Sequence, residues 1–153
     1  MAFTFTAVAD PAVTDNSLDS ANVDITVSPT SGVISESNML PGDSTQGVVN
    51  VSNTGDVDCY YFISADWKAG GTTTASKAAL LANKLAVSVS SGATSLYTGT
   101  LANLIDKPDS PGRQLTLATG NEDVTISISL PSTAGSIYQN IDVDVDFLFV
   151  ATQ

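Results

Sequence analysis

An all-β sandwich of jelly-roll or immunoglobulin-like type, with one short helix and a separate N-terminal strand, is the fold this sequence predicts. Three observations predict it. Apolar residues recur with period two in segment after segment, turn residues interrupt them about every ten positions, and a single stretch shows helical spacing.

The elements follow in order. Ala2-Phe3-Thr4-Phe5-Thr6-Ala7-Val8 alternates apolar and hydroxyl residues and breaks at Asp10-Pro11 into a polar run through Asn16, Ser17, Asp19 and Ser20. The division expected is therefore a strand over residues 1–9, a linker over 10–21 and one sandwich domain over 22–153. Val23, Ile25 and Val27 share a face of the next strand, which Pro29, Ser31 and Gly32 end. Leu40-Pro41-Gly42-Asp43-Ser44 reads as a turn, because proline presets one backbone angle and glycine supplies the unusual one. A strand over 47–51 and a turn at Asn53-Thr54-Gly55 come next.

The nearly continuous apolar run around Cys59-Tyr60-Tyr61-Phe62-Ile63 predicts a central strand covered on both faces, closed by Trp67. Ala78, Leu81, Ala82 and Leu85 fall at i, i+3, i+4 and i+7, so a helix is expected over 75–85, with Ser76 as its cap. Strands over 85–90 and 95–101, separated by Ser91-Gly92, precede a loop over 106–112 that holds two prolines. Segments 113–118, 123–130 and 137–150 supply three further strands.

Length and charge narrow the function. The 153 residues suit one domain with a real core. Sixteen acidic residues against five basic ones leave a net charge of −11, which disfavours nucleic acid and anionic lipid as partners. No stretch of about 18 apolar residues is present to span a membrane, and no basic leader followed by an apolar core opens the chain. If the protein is exported, this is expected to be the mature form, with Met1 a start codon placed before Ala2. The 19 Ser and 18 Thr, with only 14% charged residues, give the uncharged hydroxyl-rich surface typical of secreted β proteins.

Chemistry is scarce. Histidine is absent and Cys59 is the sole cysteine, which removes Ser-His-Asp and Cys-His arrangements, zinc sites built on His or paired Cys, and internal disulfides. Neither Asp-Thr-Gly nor Asp-Ser-Gly occurs, so there is no sign of an aspartic protease dyad. Glu36 and Glu122 stand in polar surroundings and read as solvated loop charges rather than a glycosidase pair. Cys59 reads as an inert buried thiol, and Asn50-Val51-Ser52 as a sequon inside a strand that is not glycosylated. No catalytic residues and no cofactor are expected.

Asp142, Asp144 and Asp146 form the best polar cluster, since alternation with Ile141, Val143, Val145 and Phe147 stands all three on one face of one strand, roughly 6.5–7 Å apart. Calcium would relieve their repulsion if Asp24, Asp56 or Asp58 lay across the strand pair. One strand offers three ligands in a line whereas calcium wants six to eight oxygens around it, so a solvated row is favoured and these Asp residues remain only metal candidates. On that reading, removing the middle charge with Asp144→Asn stabilises slightly.

Several segments together resemble the TasA/camelysin family of exported biofilm-matrix proteins. Similar to that pattern are Ala2-Phe3, the turn Leu40-Pro41-Gly42-Asp43 with the residues 49–55 that follow it, and segment 81–101. The most specific piece runs from Ser129 to Gln153: a Leu-Pro turn, Ala134-Gly135, Tyr138-Gln139, then Phe147-Leu148-Phe149-Val150-Ala151-Thr152-Gln153. The likeness covers nearly the whole chain, which lacks the family's Lys-rich insertions.

The resemblance implies a jelly-roll subunit that polymerises into extracellular fibres by donor-strand complementation, its partner being further copies of itself. Similar subunits build archaeal bundling pili, so bundling with other filaments is a further expectation. A short alternating strand followed by a polar linker is what an exchanged arm over Ala2–Val8 should look like, although an ordinary first strand packing on its own sheet has the same pattern. A metalloprotease activity has also been attributed to camelysin; without His or an HExxH motif this sequence gives it no support. Two other classes stay open: a secreted glycan-binding or adhesive module, marked by Trp67, Tyr97 and Tyr138 grouped on one exposed face, and a metal-dependent hydrolase using the Asp row.

Overall fold

The computed structural model describes residues 2–5, 16–36 and 39–153. It is a β-sandwich. Five strands form one sheet in the order β3-β4-β9-β6-β7 and three form the other in the order β10-β5-β8, every neighbouring pair antiparallel. The larger sheet comprises β3 (Ile25–Ser28), β4 (Ser44–Asn53), β9 (Asn121–Ser129), β6 (Ala86–Ser91) and β7 (Thr94–Thr100). The smaller comprises β10 (Val143–Thr152), β5 (Cys59–Ala69) and β8 (Arg113–Leu115).

Period-two patterning places the core between the layers. Val49 and Val51 of β4, Val124, Ile126 and Ile128 of β9, and Val87 and Val89 of β6 face Cys59, Tyr61 and Ile63 of β5 and Leu115 of β8. Leu101 and Leu104, around a short 3₁₀ turn, fill the same interior with Leu81 and Ala82 of the helix.

The turns carry the chemistry expected of them. Gly42 has φ +93° as the third residue of Leu40–Asp43, and Asp43 N–H donates to Leu40 O at 2.9 Å. Glycine is required at position 47 for a different reason: a methyl group there would collide with the Val33 carbonyl and with the Val33 and Ile34 side chains, which lie across β4 at that point.

Four expectations are corrected. The helix, α1, spans Ala75–Ala82, and its cap is Thr74 rather than Ser76: Thr74 Oγ1 accepts from Lys77 N–H at 3.3 Å. The Asn83 side chain donates to Ala79 O at 2.8 Å and ends the helix there, leaving Leu85 buried on the way into β6. The last strand begins at Val143 because Ser136–Tyr138 forms a 3₁₀ turn. β5 is central in its sheet but is sealed on one face only: Cys59, Tyr61 and Ile63 are buried while Tyr60, Phe62 and Ser64 are half-buried, with no further layer over them among the described residues.

The fourth correction concerns the N-terminal region. Ala2–Phe5 is a strand, β1, but part of the expected linker is one as well. Asn16–Asp19, β2, pairs antiparallel with β1 in a two-stranded sheet of its own, Phe3 opposite Leu18 and Thr4 opposite Ser17. Thr6, Ala7 and Val8, with residues 9–15, lie outside the described residues.

Candidate functional site

The two long sides of the sandwich differ. Within the β9-β6 region the inward rows are sealed, with Val124 and Ile126 at 0% exposure. On the other side, β3 and β10 are the edges of their sheets, and β10 pairs with β5 alone among the described residues. The inward row of β10, Val143, Val145, Phe147 and Phe149, packs against the core yet is only half-buried, as are Ile25 and Val27 of β3. A ten-residue edge therefore offers unpaired backbone N–H and C=O groups beside apolar side chains that lack a full complement of neighbours.

The outward row of β10 begins acidic and ends apolar. Asp142, Asp144 and Asp146 are exposed in a line, followed by Leu148 and Val150 at 48% and 58% exposure. Asp144 lies opposite Lys68 of β5, and Asp146 opposite Asp66. Asp24 and Asp58 are engaged elsewhere: Asp24 accepts from the Thr54 hydroxyl at 3.1 Å and Asp58 from Leu117 N–H at 2.8 Å. Among the described residues no three Asp, Glu, Cys or His side chains converge as a metal site.

The most elaborate polar arrangement is one that the sequence reading placed wrongly. Glu122 is no loop charge but part of β9, its side chain 12% exposed. Arg113 of β8 grips it with two hydrogen bonds, Nε to Oε1 at 3.0 Å and Nη2 to Oε2 at 2.8 Å. The Tyr61 hydroxyl donates to Oε1 at 2.6 Å and the Ser91 hydroxyl to Oε2 at 2.7 Å. Tyr61 and Arg113 belong to the small sheet, Ser91 and Glu122 to the large one, so the group is a clamp between layers.

Burial alone would raise the Glu122 pKa. Hydrogen bonds from Arg113, Tyr61 and Ser91, together with the Arg113 charge, outweigh it and hold the carboxyl below its ordinary value. Burial, then the Glu122 carboxylate, pushes the Tyr61 phenol far up. With both carboxylate oxygens engaged by Arg113, Tyr61 and Ser91, the clamp has the geometry of a structural tie between the two layers. One signal could have revealed it: counting back by two from Ile128, Ile126 and Val124 puts Glu122 on the inner face.

The remaining residues singled out in the sequence take the following places. Gly42 N–H donates to Leu130 O at 2.7 Å and Leu130 N–H to Asp43 O at 3.0 Å, so the Leu40-Pro41-Gly42-Asp43 turn is bound to the Leu-Pro turn that opens the C-terminal segment. Tyr138 ends the 3₁₀ turn under the Lys84 ammonium, 5.7 Å from its ring centroid, and Gln139 follows it. Phe149 tilts against Tyr61 with centroids 6.2 Å apart, while Ala151 and Thr152 pair with Tyr61 and Tyr60 just before Gln153. Trp67, Tyr97 and Tyr138 each pack half-buried against the core and do not form an exposed aromatic platform. Cys59 is fully buried, and burial followed by the Asp58 charge pushes its thiol up, away from reactivity.

Comparison with protein-family models and with curated proteins gives no match. No helix among the described residues is long and apolar enough to cross a membrane.

Proposed function

We propose that this chain is a structural, non-catalytic subunit of an extracellular filament, polymerising head to tail as the N-terminal arm of one copy completes the sandwich of the next. The observation that carries the reading is the open β3/β10 side, where a ten-residue edge strand and the half-buried row Val143, Val145, Phe147 and Phe149 await a neighbour. β-Augmentation supplies what that side lacks: main-chain hydrogen bonds along the edge and apolar residues at alternate positions. The arm has such residues in Phe3 and Phe5.

The resemblance to TasA/camelysin proteins and archaeal bundling pilus subunits supports the same reading, and with it a place in a biofilm matrix or on the cell surface. A contact of one surface on a different surface of the next copy does not close, and so yields fibres. Negative-stain microscopy of the purified chain tests this: fibres with a subunit-length repeat are expected, and a chain that stays monomeric at high concentration, acid pH and raised salt would refute it.

A further inference from the structure

We infer that the element passed between subunits is the whole β1–β2 hairpin rather than the β1 strand alone. This rests on the filament reading above and specifies what fills the open side.

The first support is the strand count. Among the described residues five strands face three, and the smaller sheet ends at β10, which pairs on one side only. A single added strand would leave the layers at five against four; a hairpin brings them to five against five. The chain contains one two-stranded sheet that belongs to neither layer, and it is β1–β2.

The second is the pattern of that hairpin. Its register puts Phe3 opposite Leu18 and Phe5 opposite Asn16, with Ala2 opposite Asp19 and Thr4 opposite Ser17. Successive residues alternate between faces and opposed residues share one, so Phe3, Phe5, Leu18 and Asn16 fall on one face of the hairpin, and Ala2, Thr4, Ser17 and Asp19 on the other. β1 has the alternation of β10, and β2 extends it at Leu18, with Asn16 a polar residue at the end of the same face.

Edge protection is the third. An isolated two-stranded sheet is marginal in water and needs a host. If β1 entered alone, it would first have to shed four paired positions on β2 and would then present a fresh unpaired edge. Entering as a hairpin keeps those pairs and makes β2 the new edge, with Asn16 and Asp19 among its four residues. Residues 20–24 join the hairpin to β3 and span at most about 20 Å, so its own body lies within reach as well. Yet the hairpin pairs with no strand of its own sandwich among the described residues, which points to a second copy as the host.

A cross-strand disulfide separates the alternatives. Thr4 and Ser17 are directly opposite, a relation that sets Cβ atoms about 4.5–5.5 Å apart, close enough for a disulfide after small adjustment. In the double variant Thr4→Cys, Ser17→Cys, the hairpin is locked under oxidising conditions and free under reducing ones, while buried Cys59 takes no part. If the hairpin is donated intact, the oxidised variant forms fibres as readily as the unmodified chain. Fibres that appear only after reduction overturn the inference and leave the filament reading standing, and so would an oxidised variant that closes onto itself as a monomer.

A second pair of variants needs no disulfide. Leu18→Asp puts a charge on the apolar face and should lower fibre yield at least tenfold, whereas Ser17→Asp, on the other face, should leave it within twofold. Equal yields from both would show that β2 stays outside the groove. Absence of fibres from the unmodified chain would bring down the filament reading and this inference together.

Discussion

β9 and β10 are written in nearly the same alphabet and end in different states. Each alternates apolar with polar residues over about ten positions, yet Val124 and Ile126 of β9 are wholly buried while Val145 and Phe147 of β10 remain half-exposed. The difference lies in the neighbours. β9 is flanked by β4 and β6, and Glu122 at its start is tied across the sandwich by Arg113, Tyr61 and Ser91; among the described residues β10 pairs on one flank only, with β5. Alternation says which face turns inward, whereas pairing decides whether that face is sealed.

The contrast can be broken most severely at the clamp. Arg113→Met leaves the Glu122 carboxylate buried without its cation and should destabilise the sandwich by about 3–5 kcal/mol, read as a lowered urea midpoint. Replacing Arg113 and Glu122 together by apolar residues of similar volume should recover much of that loss, because the uncompensated charge, not the absence of the pair, is what costs most.

The same truncation on the two sides sharpens the comparison. In the unassembled protein Val124→Ala should cost about 2 kcal/mol, since it opens a cavity in a sealed row, and Val145→Ala about 1 kcal/mol or less, since water already reaches part of it. If fibres form as proposed, the gap should narrow in them as the β10 side becomes covered. Equal costs in the monomer would mean that the open side is not open.

Acid acts on the clamp with a definite sign. The Glu122 carboxyl is held below its ordinary value, so the stabilisation it confers is complete above the unfolded value of about 4.3 and is lost as the pH falls through the lower, folded value. Urea midpoints should therefore fall as the pH drops below about 4, and this slope should be shallower in Arg113→Met. A slope unchanged by that substitution would assign the acid sensitivity to other carboxylates.

The smallest effect belongs to the carboxylate row, where the structure changes the expectation. Asp144 faces Lys68, so Asp144→Asn should gain nothing in thermal melting. Asp146 faces Asp66 directly, and Asp146→Asn should raise the melting temperature slightly by relieving that pair. A saturable rise with calcium, absent with sodium at matched ionic strength, would restore the metal reading.

Much of the fold was legible in the sequence because period-two alternation survives in most of the strands, and the one helix shows its own spacing. β2 was illegible for a local reason: Asn16-Ser17-Leu18-Asp19 holds a single apolar residue and becomes a strand through its pairing with β1. The continuous run around Tyr60 and Phe62 suggested two covered faces, but aromatic rings partly shield an outer face without any further layer. Glu122 was misjudged from its polar neighbours Asn121 and Asp123, although its parity with Val124 pointed inward. The open side could not be read at all, since a free edge is a property of the strand order and not of any one strand.

Trp67, the sole tryptophan, stands on the inner row of β5 opposite Val145, half-buried beside the vacant edge. On the filament proposal its indole lies in a region whose hydration changes when a neighbour docks. Its fluorescence should shift to shorter wavelength and lose access to aqueous quenchers as the cleft fills, while the interior behind Tyr61 is already dry and has little left to change. If subunits assemble as proposed, the chain carries a built-in optical gauge of occupancy, readable in real time without a label.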